Sequence, residues 1–281
     1  MKLFEDALFL VFSDLDGSLL DHDSYSYRAA QPQLRELQSL QVPVILATSK
    51  TRAEVEDLRH ELNNAHPFIV ENGAAIFIPT AYFDDRPPGT VERDGYWICE
   101  LSAARSKWLT LLDDLRIEFA GEFENFYQVG TQGIVRMTYL PPAAAERANC
   151  REYSEPVKWL GEAQRKADFV AALHAGGASV LSGGRFLSVS GDCDKGRALV
   201  WLRSLYQESR RGVSCHDLAI GDSANDCAML EAAETALLVR SPVHAFPALS
   251  RSAGLIRSEK FGPAGWAEGV RSWLGSYYQP K

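Results

Sequence analysis

Apolar positions over the first eighty residues alternate between two periods. Ala7-Leu8-Phe9-Leu10-Val11-Phe12 is an unbroken apolar run, the pattern of a strand covered on both faces of a parallel sheet. Leu34, Leu37 and Leu40 then recur at helical spacing and predict a helix from about Pro32 to Gln41. A second buried strand is expected over Pro43 to Thr48. Thr51-Arg52-Ala53-Glu54 has the order of a capping box, with Val55, Leu58 and Leu62 on one face of the helix behind it. Pro67 to Val70 reads as a third strand, closed by the turn signal Glu71-Asn72-Gly73. Strand–helix–strand–helix–strand in this order predicts an α/β fold with a doubly wound parallel sheet.

The pattern changes near Thr80. From about Phe83 to Ser190, helices over Ala103 to Leu115 and Glu162 to Ala175 are interspersed with short strand-like runs such as Ala178 to Leu181 and Phe186 to Val189. After Asp194 the alternation resumes, with a helix to about Glu208, a strand at Leu218-Ala219-Ile220, a helix over Asn225 to Ala233 and a strand from Thr235 to Val239. A last helix is expected over Pro263 to Leu274. The expected organisation is a core made of residues 1–82 and 191–281, interrupted by an α+β domain at 83–190. Each part is of ordinary domain size.

Charge narrows the possible ligands. The 29 basic and 37 acidic residues give a formal charge of −8, which disfavours nucleic acid as a partner. It equally disfavours any phosphorylated small molecule unless cations are gathered locally. No stretch approaches the ~18 apolar residues of a membrane span. The apolar run after Glu5 and Asp6 reads as a buried strand rather than a leader. Five scattered cysteines, without a C-x-x-C pair, suit reduced thiols in the cytoplasm. The oligomeric state is left open.

Four signals carry chemistry, each where a parallel sheet places ligands, at the carboxyl end of a strand. Ser13-Asp14-Leu15-Asp16-Gly17-Ser18 sets two carboxylates two residues apart, with a glycine to turn the chain. Alone, the pair is as consistent with a solvated turn. Thr48, followed by Ser49-Lys50-Thr51-Arg52, would put a hydroxyl and backbone N–H groups at a helix start, suited to a phosphate oxygen, or would merely cap the helix. Lys195 opens a helix, the end where a cation is disfavoured, which argues for a specific partner over an idle surface charge. Gly221-Asp222-Ser223-Ala224-Asn225-Asp226 offers three oxygen ligands in five residues, suited to a hard cation such as Mg²⁺. Asp226 could instead serve only the helix dipole.

In this order the four signals resemble the haloacid dehalogenase superfamily of aspartyl phosphatases. The resemblance implies that Asp14 is a nucleophile forming an aspartyl-phosphate and that Asp16 protonates the leaving group and then activates water. It further implies that Lys195 and Thr48 hold phosphate oxygens. Mg²⁺ would be bound by the side chains of Asp14 and Asp222 and the Asp16 carbonyl, with Asn225 and Asp226 orienting that shell. A carboxylate at position 16 resembles phosphatases and phosphomutases rather than ion pumps or dehalogenases. The insertion would be a cap of the C2 type.

Further stretches, Thr48 to Glu54, Pro67 to Pro79, Glu152-Tyr153-Ser154-Glu155-Pro156, Gly183-Gly184-Arg185-Phe186 and Gly262-Pro263-Ala264-Gly265-Trp266, are similar to the mannosyl-3-phosphoglycerate phosphatase family, whose members make the compatible solute mannosylglycerate. Such a substrate carries a carboxylate besides its phosphate and so calls for further cations. Lys50 and Arg52 on the loop after the second strand, Arg185 in the glycine-flanked cap segment, and Ser49, Asn72 and Gly73 are the candidate substrate contacts. For each, a surface or turn role is the plainer alternative. Glu71 and Asp21-His22-Asp23 read as turn and loop residues, and the histidines show no ligand spacing. Other sugar-phosphate phosphatases, a phosphomannomutase-like enzyme and a non-catalytic sugar-phosphate-binding regulator remain alternatives.

Overall fold

A computed structural model describes residues 7–183 and 185–277. The chain begins with β1 (Ala7–Ser13), α1 (Gln31–Ser39), β2 (Val44–Ala47), α2 (Arg52–Leu62) and β3 (Phe68–Val70). The capping box at the start of α2 is formed: the Thr51 hydroxyl accepts from the Glu54 amide and the Glu54 carboxylate from the Thr51 amide. Glu71-Asn72-Gly73 makes a single 3-10 turn, and Glu71 and Asn72 both have positive φ.

Beyond that turn the sheet continues. β4 (Ala75–Pro79), β5 (Val91–Arg93) and β6 (Tyr96–Glu100) add antiparallel strands to its edge. The sequence pattern puts Val91 to Glu100 in the insertion, but the segment joins the large sheet. Ile76, Phe77 and Ile78 of β4 need partners, and Cys99, Ile98 and Trp97 stand opposite them. The insertion's own layer follows: α3 (Arg105–Leu115), β7 (Phe123–Asn125), α4 (Phe126–Thr138), α5 (Pro142–Asn149), β8 (Glu155–Trp159), α6 (Ala163–Ala175), β9 (Ser179–Gly183) and β10 (Phe186–Ser190). The remainder is α7 (Lys195–Ser209), β11 (Ser214–Gly221), α8 (Cys227–Ala232), β12 (Thr235–Arg240), β13 (Leu255–Phe261) and α9 (Gly262–Tyr277).

The large sheet has the order β13-β12-β11-β1-β2-β3-β4-β6-β5, and the small one β7-β8-β10-β9. From β13 to β3 every pairing is parallel. The unbroken apolar run of β1 is explained by its two covered faces. Phe9 and Val11 pack on one side with Leu37, Val55 and Trp266, while Leu8, Leu10 and Phe12 pack on the other with Leu199, Leu202 and Met229. A separate core of Trp108, Leu112, Phe123, Phe169 and Leu187 lies under the small sheet. Among the described residues no helix is long and apolar enough to cross a membrane.

Candidate active site

The carboxyl ends of β1 and β11, neighbours in the sheet, bring together residues 14, 222 and 226. One carboxylate oxygen from each of Asp14, Asp222 and Asp226 lies within 4.8 Å of the others. The first residue of α7, Lys195, is fully buried and reaches into this group, with Nζ 2.6 Å from Asp14 Oδ1 and 2.7 Å from Asp226 Oδ1. Asp194 caps α7 by accepting from the Arg197 amide, which fixes the helix start that carries Lys195. Asp226 Oδ2 accepts from the amides of Asp222 and Ser223, which fixes the loop that presents Asp222. Gly17 is required at its position: it has positive φ, and the Asp222 carboxylate lies where a Cβ would stand. Beneath β1, the Trp266 indole donates to Ser13 Oγ at 2.9 Å.

The group is short of positive charge. Burial first, then Asp226 and Asp222, push the Asp14 carboxyl well above its usual range, with Lys195 pulling the other way. Burial and Asp226 raise Asp222 to about 6, opposed by His244, whose Nε2 is 3.4 Å from Asp222 Oδ2. Burial works against the ammonium form of Lys195, but Asp14 and Asp226 outweigh it and keep that form favoured.

A cavity of about 650 Å³ opens over this edge, lined by Asp14, Asp16 and Asp222 on one side and by cap residues such as Phe126, Pro156 and Phe186 on the other. Ser49, Asn72 and Asn225 also line it, as expected, and Asn225 Nδ2 donates to Asn72 Oδ1 at 3.1 Å. Thr48 is buried behind them, its hydroxyl accepting from the Lys50 amide. Lys50 is engaged elsewhere: its ammonium is 2.9 Å from Asp16 Oδ2, which leaves Asp16 Oδ1 buried without a hydrogen-bond partner.

Four expected substrate contacts are absent from the cavity wall, Lys50 and three others. Arg52 is taken up by Glu56, Asp94 and Glu152, the last at 2.8 Å. Gly73 packs its backbone on the Asp194 carbonyl, where no Cβ would fit. Arg185 is exposed, with its guanidinium on the Met137 carbonyl and over the Phe186 ring; its neighbour Gly184 lies outside the described residues. The cation that does line the cavity is Arg151, one residue before the stretch that carries the family resemblance. His22 and His244, which show no ligand spacing in the sequence, line it too. Glu71 is a buried clasp rather than a turn carboxylate, accepting from the amides of Glu152, Tyr153 and Ser154 and from the Ser154 hydroxyl.

Comparison with known proteins agrees with this site. Residues 11–85 match the model of the haloacid dehalogenase-like hydrolases. A glucosyl-3-phosphoglycerate/mannosyl-3-phosphoglycerate phosphatase of Methanococcoides burtonii is 35% identical over 266 residues, covering 95% of this chain and 97% of the relative. The chain belongs to this family of haloacid dehalogenase-like phosphatases. A mannosyl-3-phosphoglycerate phosphatase of Pyrococcus furiosus is likewise 35% identical, over 82% of this chain and 90% of its own. Among solved structures, a Thermoplasma acidophilum protein superposes with a TM-score of 0.66 at 16% identity, covering 95% of this chain and 99% of its own. The sucrose-phosphatase of Synechocystis, solved with sucrose and phosphate, gives 0.59 at 13% identity over 95% and 98%. At these identities the structures speak for the fold.

Haloacid dehalogenase-like hydrolases use a divalent metal, and the residues of this phosphatase suit one. Three clustered carboxylates face a single ammonium, burial and the neighbouring carboxylates raise both Asp14 and Asp222, and the donor set is hard oxygen throughout.

Proposed function

We propose that this phosphatase hydrolyses mannosyl-3-phosphoglycerate or its glucosyl counterpart, with Mg²⁺ as its metal. The observation that carries the reading is the Lys195–Asp14 pair beside Asp222, at the floor of a cavity whose opposite wall is the insertion. Asp14 and Asp222 would hold the ion together with the Asp16 carbonyl. Asp226 fits better as the group that locks Lys195 and the Asp222 loop, since both its oxygens already accept hydrogen bonds. Bound there, Mg²⁺ would offset the charge of about −1.5 to −2 on a phosphate monoester.

The chain's own groups then divide the work. Asp14 attacks phosphorus through one carboxylate oxygen, and the bond to the substrate oxygen breaks. Asp16 gives that oxygen its proton, so the glycoside leaves as an alcohol. The same carboxylate takes a proton from water, which attacks the phosphoryl group, releases inorganic phosphate and restores Asp14. Lys195 holds Asp14 in place throughout. The Thr48 hydroxyl has a supporting part, as it shapes the loop that carries Ser49 and Lys50.

We assign substrate choice to the layer from about residue 101 to 190, and catalysis to the large sheet with its flanking helices. The buried or unpaired state of all five cysteines supports a reducing compartment such as the cytoplasm. The test is phosphate release from a panel of mannosyl- and glucosyl-3-phosphoglycerate, sucrose phosphate and hexose phosphates, with and without EDTA. The phosphoglycerates should be preferred, and activity lost to EDTA should return with Mg²⁺. Preference for a neutral sugar phosphate, or undiminished turnover in EDTA, would refute the reading.

A further inference from the structure

We propose that Arg151 selects for a carboxylate in the leaving group. The inference rests on the substrate class proposed above and adds the residue that reads it. Arg151 stands in the connection between α5 and β8, where the chain returns from the helical part of the insertion. Its side chain is 10% exposed and lines the cavity. Two ties fix its direction: Nη1 donates to Ser154 Oγ at 2.9 Å and Nη2 to the Ser49 carbonyl at 3.1 Å. The guanidinium thus spans from the insertion to the loop behind β2.

Its charge has one loosely held partner. The nearest carboxylate, Glu71 Oε2, is 3.8 Å from Nη1 and already accepts from two amides and the Ser154 hydroxyl. Nε of Arg151 is buried and has no hydrogen-bond partner. Beyond its two ties, each Nη keeps a second N–H, so the guanidinium has donors left for a ligand that enters the cavity. Among the described residues lining the cavity, Arg151 is the sole lysine or arginine, whereas Asp14, Asp16 and Asp222 are acids. Lys195 is committed to Asp14 and Asp226, and Lys50 to Asp16.

The cavity therefore has two poles. One, at the strand ends, suits a phosphate accompanied by a metal. The other, at Arg151, suits a second anion that is planar and takes two parallel hydrogen bonds, as a carboxylate does. A glycerate group, carrying its carboxylate a few bonds from the phosphate ester, meets both; a hexose phosphate meets one.

The test compares kcat/KM for mannosyl-3-phosphoglycerate with that for its alcohol analogue, in which the carboxylate is reduced to a hydroxymethyl group. Both compounds carry the same phosphate and sugar, so the acid-to-alcohol ratio can be read from whatever activity a variant keeps. The wild-type protein should favour the acid. Arg151→Gln should lower that ratio about 10- to 100-fold, chiefly through KM for the acid, the range expected when a charge-assisted hydrogen bond is removed from a buried site. Arg151→Lys should fall between, keeping the charge without the fork, and its ratio decides if Arg151→Gln is inactive on both compounds. An unchanged ratio, including equal loss on both compounds as expected if Arg151 held the phosphate, overturns the inference and leaves the substrate class standing. Wild-type protein that cleaves p-nitrophenyl phosphate but neither glycoside overturns the substrate class, and the inference with it.

Discussion

The two ends of the large sheet handle buried polar groups in opposite ways. At the carboxyl end, Asp14, Asp222, Asp226 and Lys195 are buried as a charged cluster in which the acids outnumber the base. At the amino end, beside the starts of β1 and β2, His66, Tyr82 and Tyr206 are joined by neutral hydrogen bonds: His66 Nδ1 is 2.7 Å from the Tyr82 hydroxyl, which is 2.8 Å from that of Tyr206. Burial, helped by Arg59, pushes His66 down to about 4, and burial pushes both tyrosines up, so all three stay uncharged near neutral pH. Both ends belong to one scaffold. The neutral end satisfies itself and serves stability, whereas the charged end gathers more acids than bases and suits a cation. The contrast locates function more sharply than either end alone.

The largest effect that would sharpen this contrast is expected at Lys195. Lys195→Met removes the one ammonium from three buried carboxylates, and breaking such a pair typically costs about 3–5 kcal/mol. We expect a lower urea midpoint together with a fall in kcat on the order of 10³-fold, comparable to losing a preorganised electrostatic group. Normal stability with normal turnover would break the contrast outright.

A smaller, pH-dependent effect is expected at the opposite end. His66 has a folded pKa below its unfolded value, so its contribution is fully present above about pH 6.5 and is lost as pH falls toward 4. Between pH 7 and pH 5 the loss amounts to about 2 kcal/mol at most. His66→Gln, which keeps a hydrogen-bonding group for Tyr82, should flatten this part of the stability curve with little change in kcat/KM at neutral pH. A wild-type and variant sharing the same pH slope would show that His66 is not held neutral by burial.

The charged end is legible in the sequence, and the wall facing it is not. Asp14, Asp16, Lys195, Asp222 and Asp226 sit in short motifs directly after apolar strands or at a helix start, so local pattern alone brings them to one edge. Arg151 gains its place from contacts with Ser49, 102 residues away, and Ser154, and no spacing rule announces such a pairing. Flanking glycines point to Arg185 for that role, yet the turn between β9 and β10 leaves it exposed. Arg52 follows a genuine capping residue, but its reach is toward Glu152 rather than the cavity. β5 and β6 read as part of the insertion because antiparallel strands at a sheet edge interrupt the alternation that marks the parallel core. Glu71 does lie in a turn, but its carboxylate ties that turn to residues 152–154, again a long-range fact.

The central claim is that Asp14 itself carries the phosphoryl group during turnover. Acid quenching the enzyme during hydrolysis of mannosyl-3-phosphoglycerate, followed by peptide mass spectrometry, reads this directly. The phosphoryl mass is expected on the peptide that contains Asp14 and should vanish in Asp14→Asn along with turnover. Its appearance on another residue, or steady turnover by Asp14→Asn, would contradict the account.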